Sequence, residues 1–184
     1  PEHKVTLPFT RILAGPADFT PGGFLNRPLD QFQPNVRPTQ VQGTRCAELA
    51  LFVCLESPVI NAADHPSHYR DQPGLDFLKL VPTIWDETRV LDGAVGEHVV
   101  IVRRNGNRWF LGALTDRKAR DIPVKLDFLG RGPWTLRLWK DAPDSDTVAE
   151  HLATEQRTVT AADVLTLHLA PAGGAVASLE PISR

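Results

Sequence analysis

"EHVVIVRRNGNRWFLGALTD", residues 97–116, decides the fold class of the second half of this chain. Two runs rich in Val, Ile, Trp, Phe and Leu flank Asn105-Gly106. Such residues suit a pleated, half-buried surface. Asn-Gly between them is the strongest short hairpin signal, because a type I′ turn demands positive φ at both central residues. Working outward, "IPVKLDFLG" (122–130), "PWTLRLWKD" (133–141), "QRTVT" (156–160), "VLTLHLA" (164–170) and "AVASLEP" (175–181) repeat the theme. In the second of these, Trp134, Leu136 and Leu138 alternate with Thr135, Arg137 and Trp139, the mark of a strand with one buried face. About seven short strands separated by turn signals predict an antiparallel β-sandwich over residues 88–184.

Residues 1–87 read differently. "VTLPF" (5–9) is a short apolar, strand-like run, and "TRILAG" (10–15) is a helical turn closed by Gly15. Residues 16–43 are rich in Pro and Gly and form a long loop, a length usually reserved for function or disorder. "TRCAELALFVCLES" (44–57) spaces its apolar residues as a helix ended before Pro58. "PVINAAD" (58–64) suits a short buried strand, and "QPGLDFLKLVP" (72–82) resumes a helix with Leu75, Leu78 and Val81 on one face. The fold class is thus α/β then all-β. The order strand, helix, strand, helix is that of the last units of a (β/α)₈ barrel, and so few units would leave open edges and an uncovered core. With no Met anywhere among the 184 residues, the chain is expected to be the C-terminal piece of something longer.

Composition narrows the function classes. A net charge of -2 gives no reason to expect nucleic acid or a membrane surface as partner. No apolar run reaches the roughly 18 residues of a transmembrane helix. Cys46 and Cys54, eight residues apart on a helix, stand about 12 Å from one another, too far for a disulfide, and are expected to be free and buried. There is no HExxH or paired Cys/His spacing, no phosphate loop and no GxSxG elbow.

Several side chains have both a chemical and a structural reading. Glu2 and His3 precede the strand-like run, and barrel catalysts sit at strand ends and in the loops that follow. They also read as a solvated pair. Asp18 in "GPADFTPGG" is a substrate-binding candidate or a turn former. Asp64 and His65 fall where a strand would end. Glu48 and Glu56 are expected on a solvated helix face. In "WDETRV" (85–90), Arg89 is expected to pair with a carboxylate and Trp85 to pack between the two halves.

Taken together, "EHKVTLPFTRILAGPADFTPGGF" (2–24), "GTRCAELALFVCLESPVINAADHPSHY" (43–69) and "LDFLKLVPTIWDETRVLDGAVGEHVVIVRRNGNRWFLGALTD" (75–116) resemble the C-terminal part of glycoside hydrolase family 97, bacterial α-glucosidases and α-galactosidases. The resemblance implies the end of a catalytic barrel over residues 1–87 and a C-terminal β-sandwich over 88–184. It implies an oligosaccharide substrate and Glu2 as catalytic acid; His3, Asp18 and Asp64, by their places in the sequence, are the substrate-binding candidates beside it. It implies Ca²⁺ bound by carboxylates that mostly lie upstream, Glu2 being the one candidate ligand here. It also implies a second catalytic carboxylate upstream, packing against the missing N-terminal part, and export to the periplasm or beyond. An alternative function is a non-catalytic carbohydrate-binding or structural module, with Trp109, Trp134 and Trp139 as stacking candidates.

Overall fold

The computed structural model describes residues 1–34 and 36–182. Helix α1 (Glu2–Thr6) leads through 3-10 turns at Leu7–Phe9 and Arg11–Ala14, the latter closed by Gly15 as expected. Two-residue strands β1 (Asn26–Arg27) and β2 (Val41–Gln42) pair in parallel within the long loop. Helices α2 (Arg45–Cys54) and α3 (Leu75–Leu78) follow. Eight strands complete the chain: β3 (Glu87–Ala94), β4 (His98–Asn105), β5 (Arg108–Thr115), β6 (Arg120–Lys125), β7 (Trp134–Asp141), β8 (Leu152–Val159), β9 (Val164–Leu169) and β10 (Gly174–Pro181).

The expected antiparallel β architecture is present. Six strands form one sheet in the order β3-β4-β5-β10-β7-β8, with antiparallel neighbours throughout, and β6-β9 forms a second, antiparallel sheet. Strand alternation gives the large sheet two apolar faces. Val100, Val102, Leu136 and Leu138 share one core with Ile122, Val124, Leu165 and Leu167 of the small sheet. Val99, Ile101, Phe110, Trp139 and Val176 share the other with Val5, α2 and Phe77. The helical segment is thus a third layer on the large sheet. No helix among the described residues is long and apolar enough to cross a membrane.

Several sequence expectations need correction. Residues 5–9 are helical, not a strand. Val5 and Pro8 are the buried positions, with Phe9 and Ile12 packed against the same core, a helical spacing that alternation does not match. "PVINAAD" forms no strand: Val59 is 75% exposed, and the segment meets the body through Ala63 N–H on Pro21 C=O rather than through a ladder. The second helix shrinks to the turn α3, whose buried residue is Phe77. The strand–helix units of a barrel end are therefore not evident. In the sandwich β3 was missed. The hairpin forms, yet Asn105 pairs with Arg108, so the turn residues are Gly106 and Asn107. Gly106 has φ +59°, matching the glycine that a type II′ turn takes at its first central position.

Trp109, Trp134 and Trp139 are 4%, 7% and 1% exposed, which removes them as sugar-stacking platforms. Their rings fill the cores, Trp109 edge-on to Phe128 at 5.2 Å and Trp139 edge-on to Phe77 at 5.2 Å. Cys46 and Cys54 are free and buried, as expected, and burial pushes the Cys54 thiol up to about 12.

Asp141, at the end of β7, is a buried carboxylate that ties elements together. Its Oδ2 accepts from Ala170 N–H at 2.9 Å and Gly174 N–H at 3.0 Å, while Oδ1 is buried without a hydrogen-bond partner. Burial raises its pKa to about 6 despite these donors. The fold therefore favours the protonated form. The contribution of this group is fully favourable below about pH 4 and falls away as pH rises through about 6, by about 3 kcal/mol in all. Asp64 and Asp116, held below the usual carboxylate range, work in the opposite sense. Asp141→Asn is therefore expected to remove this one decline. The difference in urea-unfolding free energy between variant and wild type should grow between pH 4 and 6, and a flat difference would contradict it.

Candidate functional site

The loop "GPADFTPGGF" (15–24) is held by buried polar groups on three sides. Thr44 caps α2, its hydroxyl accepting from Ala47 N–H at 3.1 Å. One helical turn on from the cap, Glu48 points inward and is 3% exposed. Its Oε1 pairs with Lys4 Nζ of α1, and its Oε2 accepts from Gly22 N–H at 2.9 Å. Gly22 C=O accepts from Tyr69 Oη at 2.8 Å, and the same hydroxyl accepts from Asp64 N–H at 2.8 Å. The Asp64 carboxylate accepts from Phe24 N–H and His65 N–H, each at 2.9 Å, and lies 2.5 Å from His68 Nδ1. Burial alone would raise the Asp64 carboxyl, but the Phe24 N–H, His68 and the His65 N–H together hold it below its ordinary range.

Glycine is required at Gly22. Its φ is +89°, and a Cβ there would lie 2.9 Å from the Phe52 ring. Beneath it, Arg45 is buried in α2, with Nε donating to Asn26 Oδ1 at 2.7 Å and Nη2 to Phe24 C=O at 2.7 Å. Its guanidinium stacks on the Phe24 ring at 4.1 Å.

Of the catalytic and substrate-binding candidates Glu2, His3, Asp18 and Asp64, the structure brings only Asp64 into this network. Glu2 occupies the first turn of α1, its side chain 48% exposed, with Arg117 Nε donating to its Oε1 at 2.7 Å. Its own backbone N–H first, then the Pro1 amino group and Arg117, hold its carboxyl below the usual range. His3 and Asp18 are exposed. His65 caps the 3-10 turn Pro66–His68 and bonds Ser67 Oγ at 2.8 Å. Arg89 pairs with Glu87 at 2.6 Å as expected, and Trp85 packs edge-on to Phe110 at 5.5 Å, helical layer against sheet.

Sequence reasoning missed Lys4, Tyr69 and Glu48, the last assigned to a solvated face. A signal for Glu48 existed. "RCAELALFVC" has almost no polar face, and a helix apolar all round is buried all round. Glu56 does remain partly exposed, its side chain 40% accessible beside Arg103. Among the described residues, no three His, Cys, Asp or Glu gather to hold a metal ion. A cleft of about 560 Å³ lies elsewhere, between the ends of β6/β9 and β7/β8, and includes none of the predicted site residues.

The family model described as "Glycosyl-hydrolase 97 C-terminal, oligomerisation" matches residues 84–180. This chain belongs to glycoside hydrolase family 97. Similarity to family 97 proteins also extends upstream of that match. A retaining alpha-galactosidase of Bacteroides thetaiotaomicron is 38% identical over 174 residues, covering 94% of this chain and 26% of that enzyme. A family 97 enzyme of Pseudoalteromonas, solved in complex with panose, superposes with a TM-score of 0.87 at 39% identity, covering 100% of this chain and 29% of that one. A beta-arabinopyranosidase structure superposes with a TM-score of 0.79 at 30% identity, covering 96% and 27%. The chain spans about a quarter of the length of the curated relatives it matches.

Proposed function

We propose that these residues are the C-terminal part of an α-glycoside hydrolase that cleaves α-glucosidic or α-galactosidic bonds of oligosaccharides. The observation that carries this reading is that similarity to the Bacteroides enzyme spans nearly the whole chain, 94% of it. Residues 1–87 would finish the catalytic barrel in the company of the longer protein, and residues 88–184 would form its C-terminal domain.

In the two-carboxylate scheme an acid protonates the glycosidic oxygen while a second carboxylate attacks or activates water. Glu2 is proposed as that acid on motif position. Its present setting opposes the role. A proton donor at neutral pH needs a raised pKa, whereas the Glu2 backbone N–H, the Pro1 amino group and Arg117 lower it. An acid role therefore requires surroundings, supplied by the longer protein, that displace Arg117. The calcium implied by the resemblance would likewise draw its ligands from outside, since the described residues form no ligand cluster and Glu2 is occupied by Arg117.

The intact parent is expected to hydrolyse an aryl α-galactoside or α-glucoside, and this chain alone to hydrolyse neither. An intact parent inactive on both would overturn the reading. In the parent, Glu2→Gln should lower turnover of natural oligosaccharides by about 10²–10⁴-fold, and that of substrates with an activated leaving group far less. Unchanged turnover would leave Glu2 with its ion pair to Arg117 and no catalytic part.

A further inference from the structure

Glu48 is a buried carboxylate with one oxygen on each of two segments. Its Oε1 pairs with Lys4 Nζ of α1, and its Oε2 accepts from Gly22 N–H of the loop that carries Asp18. The residue itself stands on a fixed support. α2 is buried along its whole length, and Thr44 and Arg45 pin its start, the latter through Asn26 and Phe24. A carboxylate on such a helix is a rigid point between two pieces of less regular chain. At 3% exposure it is out of reach of a substrate, so any part it takes in chemistry must pass through what it holds.

α1 depends on that point. It has five residues, Glu2–Thr6, and no side-chain N-cap. So short a helix has no stability of its own, and its contacts decide where it stands. Two side chains anchor it inward: Val5, fully buried, and Lys4, whose Nζ also donates to Gln42 C=O at 3.3 Å. Two residues along a helix turn the side chain by about 200°. With Lys4 held inward on Glu48, Glu2 is therefore turned outward, and its side chain is 48% exposed. Thr6 Oγ1 donates to Glu2 C=O at 2.7 Å and stiffens the turn between them. Val5 alone would let α1 roll about its axis. The Lys4 pair fixes the roll.

We infer, resting on the reading of Glu2 as the acid, that Glu48 is a positioning residue of the proposed hydrolase. Through Lys4 it sets the direction in which α1 presents Glu2, and through Gly22 it holds the loop that carries Asp18. Proton transfer to a glycosidic oxygen needs the donor within hydrogen-bond reach, about 2.6–3.2 Å. A misplacement of about 1 Å made far from the reacting atoms costs up to about 100-fold. A helical side chain reaches about 5–6 Å from the helix axis, so a roll of about 10° moves the Glu2 carboxyl by about 1 Å. That roll leaves a second carboxylate on the longer protein where it was.

The intact parent is assayed on two substrates of one sugar, an α-linked disaccharide that needs the acid and a dinitrophenyl α-glycoside that hardly does. Lys4→Met is expected to lower kcat on the disaccharide by about 10–100-fold with KM little changed, and kcat on the dinitrophenyl glycoside by less than about threefold. Lys4→Arg, which keeps the charge and the reach, should retain most of the turnover. In Lys4→Met/Glu48→Gln the melting temperature should return toward wild type while the disaccharide kcat stays low, because α1 is still untied. Unchanged turnover, equal losses on both substrates, or turnover returning together with the melting temperature would reduce Glu48 to a structural role and overturn the inference. If Lys4→Met fails to fold, the double variant decides alone. Glu2→Gln serves as the reference. Full disaccharide turnover in Glu2→Gln overturns the acid reading and the positioning role with it. A leaving-group split in Glu2→Gln, beside none in Lys4→Met, overturns the positioning role alone.

Discussion

Gly112→Val is expected to cost more than about 3 kcal/mol of stability, with Gly112→Ala costing about 1–3 kcal/mol. Gly112 lies in β5 directly under α2. A Cβ built there would stand 2.8 Å from Val53 Cβ, 3.0 Å from Cys54 Sγ and 3.1 Å from the Ala50 carbonyl oxygen. On the neighbouring strand β10, a Cβ at Gly174 would meet Ala47 Cα at 2.8 Å and Ala47 N at 2.9 Å. The two glycines form a smooth seat that lets the helix backbone approach the sheet, and the nearest clashing atoms, Val53 Cβ and the Ala47 backbone, are fixed to the helix and cannot swing aside. An added methyl must lift α2, and lifting α2 opens the core it shares with Val99, Ile101 and Phe110. The sign is diagnostic. Glycine within a strand is ordinarily worse than alanine by roughly 0.5–1 kcal/mol, so Gly112→Ala should stabilise a sheet with an open face. Urea unfolding monitored by far-ultraviolet circular dichroism distinguishes the two cases. A gain in stability for the alanine variant would mean that α2 does not rest on β5 in solution.

This seat also shows where sequence reading reaches and where it stops. The β-rich half was legible because alternation is a local signal and each face of the sheet meets an apolar layer. The turn was displaced by one residue because distant groups choose it. Asn105 Nδ2 donates to Ile84 C=O at 3.0 Å, and Gly106 N–H donates to Asp86 Oδ2 at 2.7 Å, contacts from twenty residues upstream that hold Asn105 in the ladder. β3 escaped notice because an edge strand with exposed Thr88, Arg89 and Val90 has little apolar alternation to read. "PVINAAD" misled for the converse reason: its apolar run suggests a buried strand, but no neighbouring strand receives it. The site was the least legible part. Asp64 was singled out as a candidate from its place after an apolar run. Its partners Phe24 N–H, Tyr69 and, through Gly22, Glu48 meet it only in three dimensions.

Lys4→Met is the second substitution expected to have a large effect, about 3–5 kcal/mol, the usual range for breaking a buried ion pair from one side. The Lys4 side chain is 27% exposed and that of Glu48 is 4% exposed, so the cation borders solvent while the carboxylate does not. Without Lys4, the Glu48 carboxylate keeps Gly22 N–H as its donor and little else. A charge cannot remain there without drawing in water or a proton. The Gly22 loop is the element that must yield, because α2 is fixed by its seat on the sheet. Hydrogen exchange should therefore accelerate at Gly22 and Phe24 N–H before the strands respond. Adding Glu48→Gln to Lys4→Met removes the uncompensated charge and preserves an acceptor for Gly22. The double variant should recover most of the loss, because the penalty lies in the stranded carboxylate and not in the missing attraction. A single variant costing less than about 1 kcal/mol would class the contact with exposed ion pairs. A double variant as unstable as the single one would place the cost in lost packing of the Lys4 stem on α1. The measurements thus separate a loop anchored by a buried charge from one that only lies against the helix.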